Sequence, residues 1–174
     1  MKLGQFQVYT GNGKGKTTAS LGLALRACGA GLRVYFCQFI KAGEFSEIKA
    51  LRRLDCVTVE QFGSGKGLLI HRDAELSDLE CAREGYDRLK KALCSGDYDV
   101  VIADEINCAL MCKLLSEQEL LDLVDARPEG TELIFTGRGA SPAILDRADL
   151  VTEMRLIKHY YMDKKLPARD GIEK

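Results

Sequence analysis

The sequence predicts an α/β domain, a mostly parallel sheet of about six strands with helices on both faces. Three observations carry that prediction. Short runs rich in β-branched and aromatic residues alternate with longer segments of helical spacing along the chain. The runs RVYFCQFI at 33–40 and YDVVIAD at 98–104 are apolar on both faces, as central parallel strands are. The 174 residues, 46% hydrophobic and 29% charged, suit a single core, and no repeat, low-complexity tract or Pro/Ser-rich linker marks a second domain.

QFQVYT at 5–10 reads as the first strand, running into a glycine-rich loop. From Thr17 to about Ala30 the chain is rich in Ala and Leu and ends among Gly29 and Gly31, which fits a helix with a glycine terminator. After the strand at 33–40, Phe45, Ile48, Leu51 and Leu54 keep helical spacing, and VTVEQF at 57–62 is the next strand. The longest helix covers about 74–94, where Leu76, Leu79, Ala82, Tyr86, Leu89 and Leu93 share one face. Glu75, Asp78 and Glu80 sit in its first half, and Arg88, Lys90 and Lys91 in its last turns, as the helix dipole favours, with Gly96 to end it. The strand at 98–104 follows. Ser116 and Glu119 form a capping box for a helix that stops before Pro128. TELIFT at 131–136 is a strand, Ser141-Pro142 opens a short helix, and LVTEM at 150–154 is the last strand. The polar tail from 156 onward carries no clear element.

Right-handed crossovers place ligands of such a sheet at the carboxyl ends of its strands. The informative loops are therefore 10–18, 38–45, 62–72, 104–108 and 136–141. A net charge of -1 gives no chain-wide attraction for nucleic acid or an anionic membrane, and no apolar run approaches a membrane span. Seven scattered cysteines, an odd number, suit reduced thiols in a cytoplasmic protein better than a disulfide framework.

The loop TGNGKGKTT at 10–18 has the mechanics of a phosphate cradle, although Thr10 stands where the general pattern has glycine. Gly11, Gly13 and Gly15 free the backbone to curl its amides inward, and the following helix adds positive potential. Lys16 reaches phosphate oxygens, the Thr17 hydroxyl can ligate magnesium, and Lys14 adds a cation at the rim. Val100, Val101, Ile102 and Ala103 lead into Asp104-Glu105, acids at the end of an apolar strand. Thr17 with one of these carboxylates suffices for Mg²⁺, a hard ion that keeps several waters.

Beyond the loop, TGNGKGKTTASLGLALRACGAGLRV, QFIK at 38–41, DEIN at 104–107, ARP at 126–128, TGRG at 136–139, EMRLIKH at 153–159 and the closing Gly171-Ile172-Glu173 resemble the ATP:corrinoid adenosyltransferases with a phosphate loop. The resemblance spans nearly the whole chain, in order, and Thr10 is the family's residue at that position. It implies a RecA-like P-loop fold and transfer of the 5′-deoxyadenosyl group of ATP to Co(I) of a corrinoid, with triphosphate leaving. It also implies ATP bound in reversed sense on the loop, a homodimer, and a flavodoxin-type electron donor. Carried onto this sequence, Gly11, Asn12, Gly13, Lys14, Gly15, Lys16, Thr17 and Thr18 contact the triphosphate, with Lys16, Thr17 and Glu105 central to catalysis. Thr17 and Glu105 form the metal side with Asp104 behind them. Arg26, Lys41 and Arg138 are further nucleotide contacts.

Family members hold the corrinoid against bulky apolar side chains, some of them aromatic, in the loop after the third strand. Here that loop is FGSGKGLLI at 62–70, so Phe62 with Leu68 and Leu69 are the candidates. Leu156 replaces a proline common in the family's tail. A small-molecule kinase and a non-catalytic ATP or corrinoid chaperone remain alternatives for such a loop. Cys108 and Cys112 read as core thiols, since two ligands without a second pair make no zinc site. His71 reads as a surface residue, and His159 as either structural or functional.

Overall fold

The computed structural model describes residues 3–66 and 72–174. In chain order the elements are β1 (Phe6–Thr10), α1 (Lys16–Gly29), β2 (Val34–Phe39), α2 (Ser46–Leu51), β3 (Val57–Phe62), α3 (Leu76–Cys94), β4 (Val100–Asp104), α4 (Ile106–Met111), α5 (Glu117–Ala126), β5 (Glu132–Thr136), α6 (Pro142–Arg147), β6 (Leu150–Glu153) and α7 (Tyr160–Lys164). The strands form one sheet in the order β3-β2-β4-β5-β1-β6, and every pairing is parallel. The predicted α/β architecture holds, and it suits the RecA-like P-loop fold.

Alternation along the central strands divides the core in two. Val34, Phe36, Val100, Ile102 and Ile134 face α1 and α2, where Ala24, Ala27, Ile48 and Leu51 cover them. Phe6, Tyr35, Cys37, Phe39, Val101, Leu133 and Phe135 face the opposite layer of α3, α4, α5 and α6. Both faces being dry, β2 and β4 are buried along their whole length, which is why their sequences show no polar alternation.

The helix at 74–94 is shorter at its start than its periodicity indicated. Glu75 and Asp78 form a reciprocal capping box there, while Leu76 and Leu79 are exposed rather than packed. The buried stripe begins at Ala82 and runs through Gly85, Tyr86, Leu89 and Leu93. Gly85 is required by packing, because a Cβ there would lie 2.8 Å from the rings of Phe39 and Phe62. Asp78 also accepts both guanidinium nitrogens of Arg72 and the Ser64 hydroxyl, so it ties together residues on either side of 67–71. The Ser116–Glu119 capping box of α5 forms as the sequence indicated. Two helices had no sequence signal: α4, a six-residue helix directly after the acids, and α7 in the tail.

One expectation is corrected. Cys28, in the last turn of α1, and Cys56, just before β3, are joined by a disulfide, with their Cα atoms 5.8 Å apart. The parallel β2–β3 pair brings the end of α1 over the start of β3, and spacing along the sequence cannot reveal that approach. The other five cysteines, Cys37, Cys81, Cys94, Cys108 and Cys112, are free.

Candidate active site

The glycine loop connects β1 to α1 at the carboxyl end of the sheet. Its glycines are set by crowding as much as by turning. Gly11 has φ +96° and Gly15 φ +122°, both in the region that disfavours side chains. A Cβ on Gly11 or Gly13 would come within 2.5 or 2.7 Å of the Met154 carbonyl oxygen, and the Gly13 N–H donates to that oxygen at 2.6 Å. The strand β6, paired beside β1, thus delivers the chain onto the loop's back. Lys16 is only 8% exposed, and its ammonium donates to the carbonyls of Gly11 at 2.7 Å and Gly13 at 2.8 Å. Burial pulls it below the ordinary lysine value, opposed by the charge of Glu105. Asn12, Lys14 and Thr18 are exposed. Lys14 is nevertheless engaged, with the Tyr160 hydroxyl, the Ile172 carbonyl and the Glu173 carboxylate.

The two acids at the end of β4 have separate partners. Asp104 is fully buried and accepts from the Thr136 hydroxyl at 2.6 Å, the Gln38 amide at 2.9 Å and the Thr17 hydroxyl at 3.2 Å. Glu105 turns away: its backbone is left-handed at φ 61°, its N–H donates to the Thr136 hydroxyl at 2.9 Å, and its carboxylate pairs with Lys41 at 2.9 Å and accepts from the Cys108 thiol at 2.8 Å. Lys41 is brought there by a second strained residue. Ile40 has φ 55°, unfavourable for a β-branched side chain, and Lys41 N–H closes a three-residue turn onto the Phe39 carbonyl at 2.7 Å. Left-handed backbone at Glu105 and at Ile40, the residue before Lys41, marks a place where geometry is held at a cost.

These contacts shape the protonation states. Burial pushes the Asp104 carboxyl above its ordinary range, with Lys41 pulling against it. Burial also acts on Glu105, but the nearby Lys41 charge and the Cys108 hydrogen bond outweigh it and draw that carboxyl down. Burial would lower Lys41; Glu105 and Asp104 outweigh it and raise the ammonium. Among the described residues no group of three or more His, Cys, Asp or Glu is arranged to hold a metal ion. The donors beside the loop are instead the Thr17 hydroxyl and Asp104 carboxylate, hard oxygens that suit a hydrated Mg²⁺.

The structure therefore brings Gly11 to Thr17, Asp104, Glu105 and Lys41 together at the strand ends. Arg138 follows β5, is exposed, and lies near enough for its charge to lower Lys16. Arg26 does not join them. It sits exposed in the last turn of α1, about 15 Å along the axis from Lys16 at the usual helical rise. Phe62 is also elsewhere: it is 7% exposed, with its ring 6.0 Å from that of Phe39 and packed against Gly85, so it is part of the core. Truncation to Phe62→Ala is accordingly expected to cost about 3–5 kcal/mol of stability, read by denaturant unfolding, rather than to change corrinoid handling selectively. Leu68, Leu69 and His71 lie outside the described residues. His159 caps α7, its Nδ1 accepting from the Tyr161 N–H. Arg127 of the ARP run binds the carbonyls of Gly4 and Thr131 and is structural.

Three contributors escaped the sequence. Gln38 and Thr136 are buried polar residues at the carboxyl ends of the strands flanking Asp104, a signal available in QFIK and TGRG. Cys108, read as a packing thiol, hydrogen bonds Glu105 and accepts the Arg138 N–H at 3.2 Å.

Comparison with known proteins places the chain. The family model described as ATP:corrinoid adenosyltransferase BtuR/CobO/CobP matches residues 2–173. The chain belongs to this family. A corrinoid adenosyltransferase of Pseudomonas aeruginosa is 33% identical over 170 residues, covering 98% of this chain and 83% of that protein. The Escherichia coli K12 corrinoid adenosyltransferase is 36% identical, over 95% of this chain and 83% of its own length. That of Salmonella typhimurium is 35% identical with the same coverage of both chains. In this chain DEIN, TGRG and the tail all meet the glycine loop at one end of the sheet. Among the described residues no helix is long and apolar enough to cross a membrane.

Proposed function

We propose that this ATP:corrinoid adenosyltransferase holds the triphosphate of ATP on residues 11–18 and presents the ribose C5′ to the Co(I) of a reduced corrinoid. The cobalt–carbon bond forms as the C5′–oxygen bond breaks, and the triphosphate leaves with the electron pair. Co(I) is itself a strong nucleophile, so the protein supplies position and charge rather than a base.

The observation that carries this reading is the polarity of the site. Lys14, Lys16, Lys41 and Arg138 surround the loop, while the two carboxylates are committed, Asp104 to three donors and Glu105 to Lys41. Both carboxylates are already engaged by protein donors rather than aimed at a substrate hydroxyl, as a kinase base would be. Lys16 and Arg138, with Lys14 and Lys41 beside them in their ion pairs, concentrate positive charge where a polyphosphate departs. Magnesium, when bound, neutralises part of that charge. Thr17 would ligate it, with Asp104 accepting the Thr17 proton and so aiming the hydroxyl lone pairs outward. Glu105, in this reading, sets Lys41 rather than the metal. The reaction serves the making or salvage of adenosylcobalamin in the cytoplasm, with a homodimeric enzyme and a flavodoxin-type electron donor as the family's pattern.

The test is an anaerobic incubation of protein, Mg-ATP and chemically reduced cobalamin, with absorbance and nucleotide chromatography. Loss of the Co(I) spectrum with light-sensitive adenosylcobalamin and stoichiometric triphosphate is the expected result. ADP and phosphate without a new cobalt–carbon bond would overturn it.

A further inference from the structure

We propose that the Glu173 carboxylate occupies an anion site formed by Lys14, Tyr160 and Arg169, and that a polyphosphate replaces it there. The proposal rests on the reading of residues 11–18 as the triphosphate cradle, and it adds Tyr160 and Arg169 as phosphate ligands.

The donors converge on one carboxylate. Lys14 Nζ lies 2.9 Å from Glu173 Oε1, and the Tyr160 hydroxyl donates to the same oxygen. Arg169 gives Nη2 to Oε1 at 3.1 Å, Nε to Oε2 at 3.2 Å and its backbone N–H to Oε2 at 2.9 Å. Two cations, a hydroxyl and an amide around a single anion are the donor set that phosphate oxygens take. Arg169, Tyr160 and Lys14 in that order hold the Glu173 carboxyl well below the usual carboxylate range. The Arg169 guanidinium also stacks 5.1 Å above the Tyr160 ring, which fixes both groups without the carboxylate.

The position matters more than the strength. Lys14 lies within the glycine loop, and its partner is 159 residues away at the chain's other end. The tail reaches it by crossing the loop and ending at α2, where the Ser46 hydroxyl donates to the Lys174 carbonyl. Two further loop groups already have protein partners: Lys16 rests on two loop carbonyls, and the Gly13 N–H on the Met154 carbonyl. A triphosphate brought to Lys14 meets a carboxylate already within hydrogen-bond distance of the same ammonium, and like charges so close exclude one another. The terminal turn carrying Glu173 therefore gives way, and Arg169 and Tyr160 pass from carboxylate to phosphate.

Titration calorimetry of the full chain with inorganic triphosphate tests this. Glu173→Gln is expected to bind triphosphate about fivefold tighter than the parent, the scale of one partly exposed ion pair. A chain ending at Arg169 should show the same gain, so the result does not depend on how the substituted turn folds. In a Lys14→Ala background Glu173→Gln should give no further gain, and Arg169→Gln alone should weaken binding about as much as Glu173→Gln strengthens it. Equal or weaker binding by both Glu173→Gln and the shortened chain, in a parent that binds triphosphate, would overturn the exchange alone. A parent that binds no triphosphate would overturn the phosphate-loop reading with it.

Discussion

Lys16→Ala is expected to abolish detectable triphosphate binding and to lower adenosyl transfer by at least about a thousandfold, the scale of losing one preorganised charge contact to a developing anion. Lys16 is 8% exposed, and its ammonium donates to the carbonyls of Gly11 and Gly13. Those contacts close the loop on itself and are the ones a phosphate exchanges. Burial has already lowered this lysine toward its neutral form. A polyphosphate supplies the missing counter-charge, so its arrival raises the ammonium's pKa and the charged form is stabilised where it is used. Removing the side chain leaves the Gly11 and Gly13 carbonyls without that donor, a loss of about 1–3 kcal/mol, while the sheet beneath is untouched. Thermal unfolding should therefore shift modestly while binding disappears. Lys16→Arg should not restore activity, because a planar five-donor fork does not fit a slot shaped for a compact ammonium between two carbonyls. Near-normal turnover in Lys16→Ala, followed by the Co(I) absorbance, would remove the loop from the mechanism.

The contrast between this lysine and Phe62 shows which kinds of inference the sequence supports. The loop stood out because its motif is local: glycines, a lysine and a threonine lie within a few residues of one another between a strand and a helix. The strands were legible for a related reason. Burial on both faces of β2 and β4 removes polar alternation, and that absence is itself a pattern. Phe62 ends β3 and begins a loop, and from the sequence an aromatic there serves either the core or a ligand. The approach of α3, close enough to demand Gly85, is what packs it into the core. The Cys28–Cys56 pairing and the Lys14–Glu173 contact are equally tertiary, one made by strand order and the other by a tail that returns across the loop. The division of labour between Asp104 and Glu105 depends on a single left-handed residue, which no spacing rule anticipates for a glutamate.

That division yields the second large effect. Asp104→Asn is expected to lower adenosyl transfer by about a hundredfold or more while costing only about 1–2 kcal/mol of stability. The buried carboxylate accepts from Thr136 on one oxygen and from Gln38 and Thr17 on the other. An asparagine can keep its oxygen toward Gln38 and Thr17 and turn its amide to Thr136, whose hydroxyl oxygen then accepts. One hydroxyl proton loses its partner, which is a modest loss. The charge, however, is gone from beside Thr17, and with it the field that aims the threonine oxygen and attracts a divalent cation. Asp104→Ala would strand all three donors in a dry site and should unfold far more readily, so the asparagine is the informative variant. Glu105→Gln is the control, since Glu105 meets Lys41 and Cys108 rather than Thr17. Its loss should be smaller and should not change the magnesium concentration needed for half-maximal rate, whereas Asp104→Asn should raise it. If the magnesium requirement moves with Glu105→Gln and stays fixed with Asp104→Asn, the metal side belongs to Glu105 and the Thr17–Asp104 hydrogen bond only braces the loop.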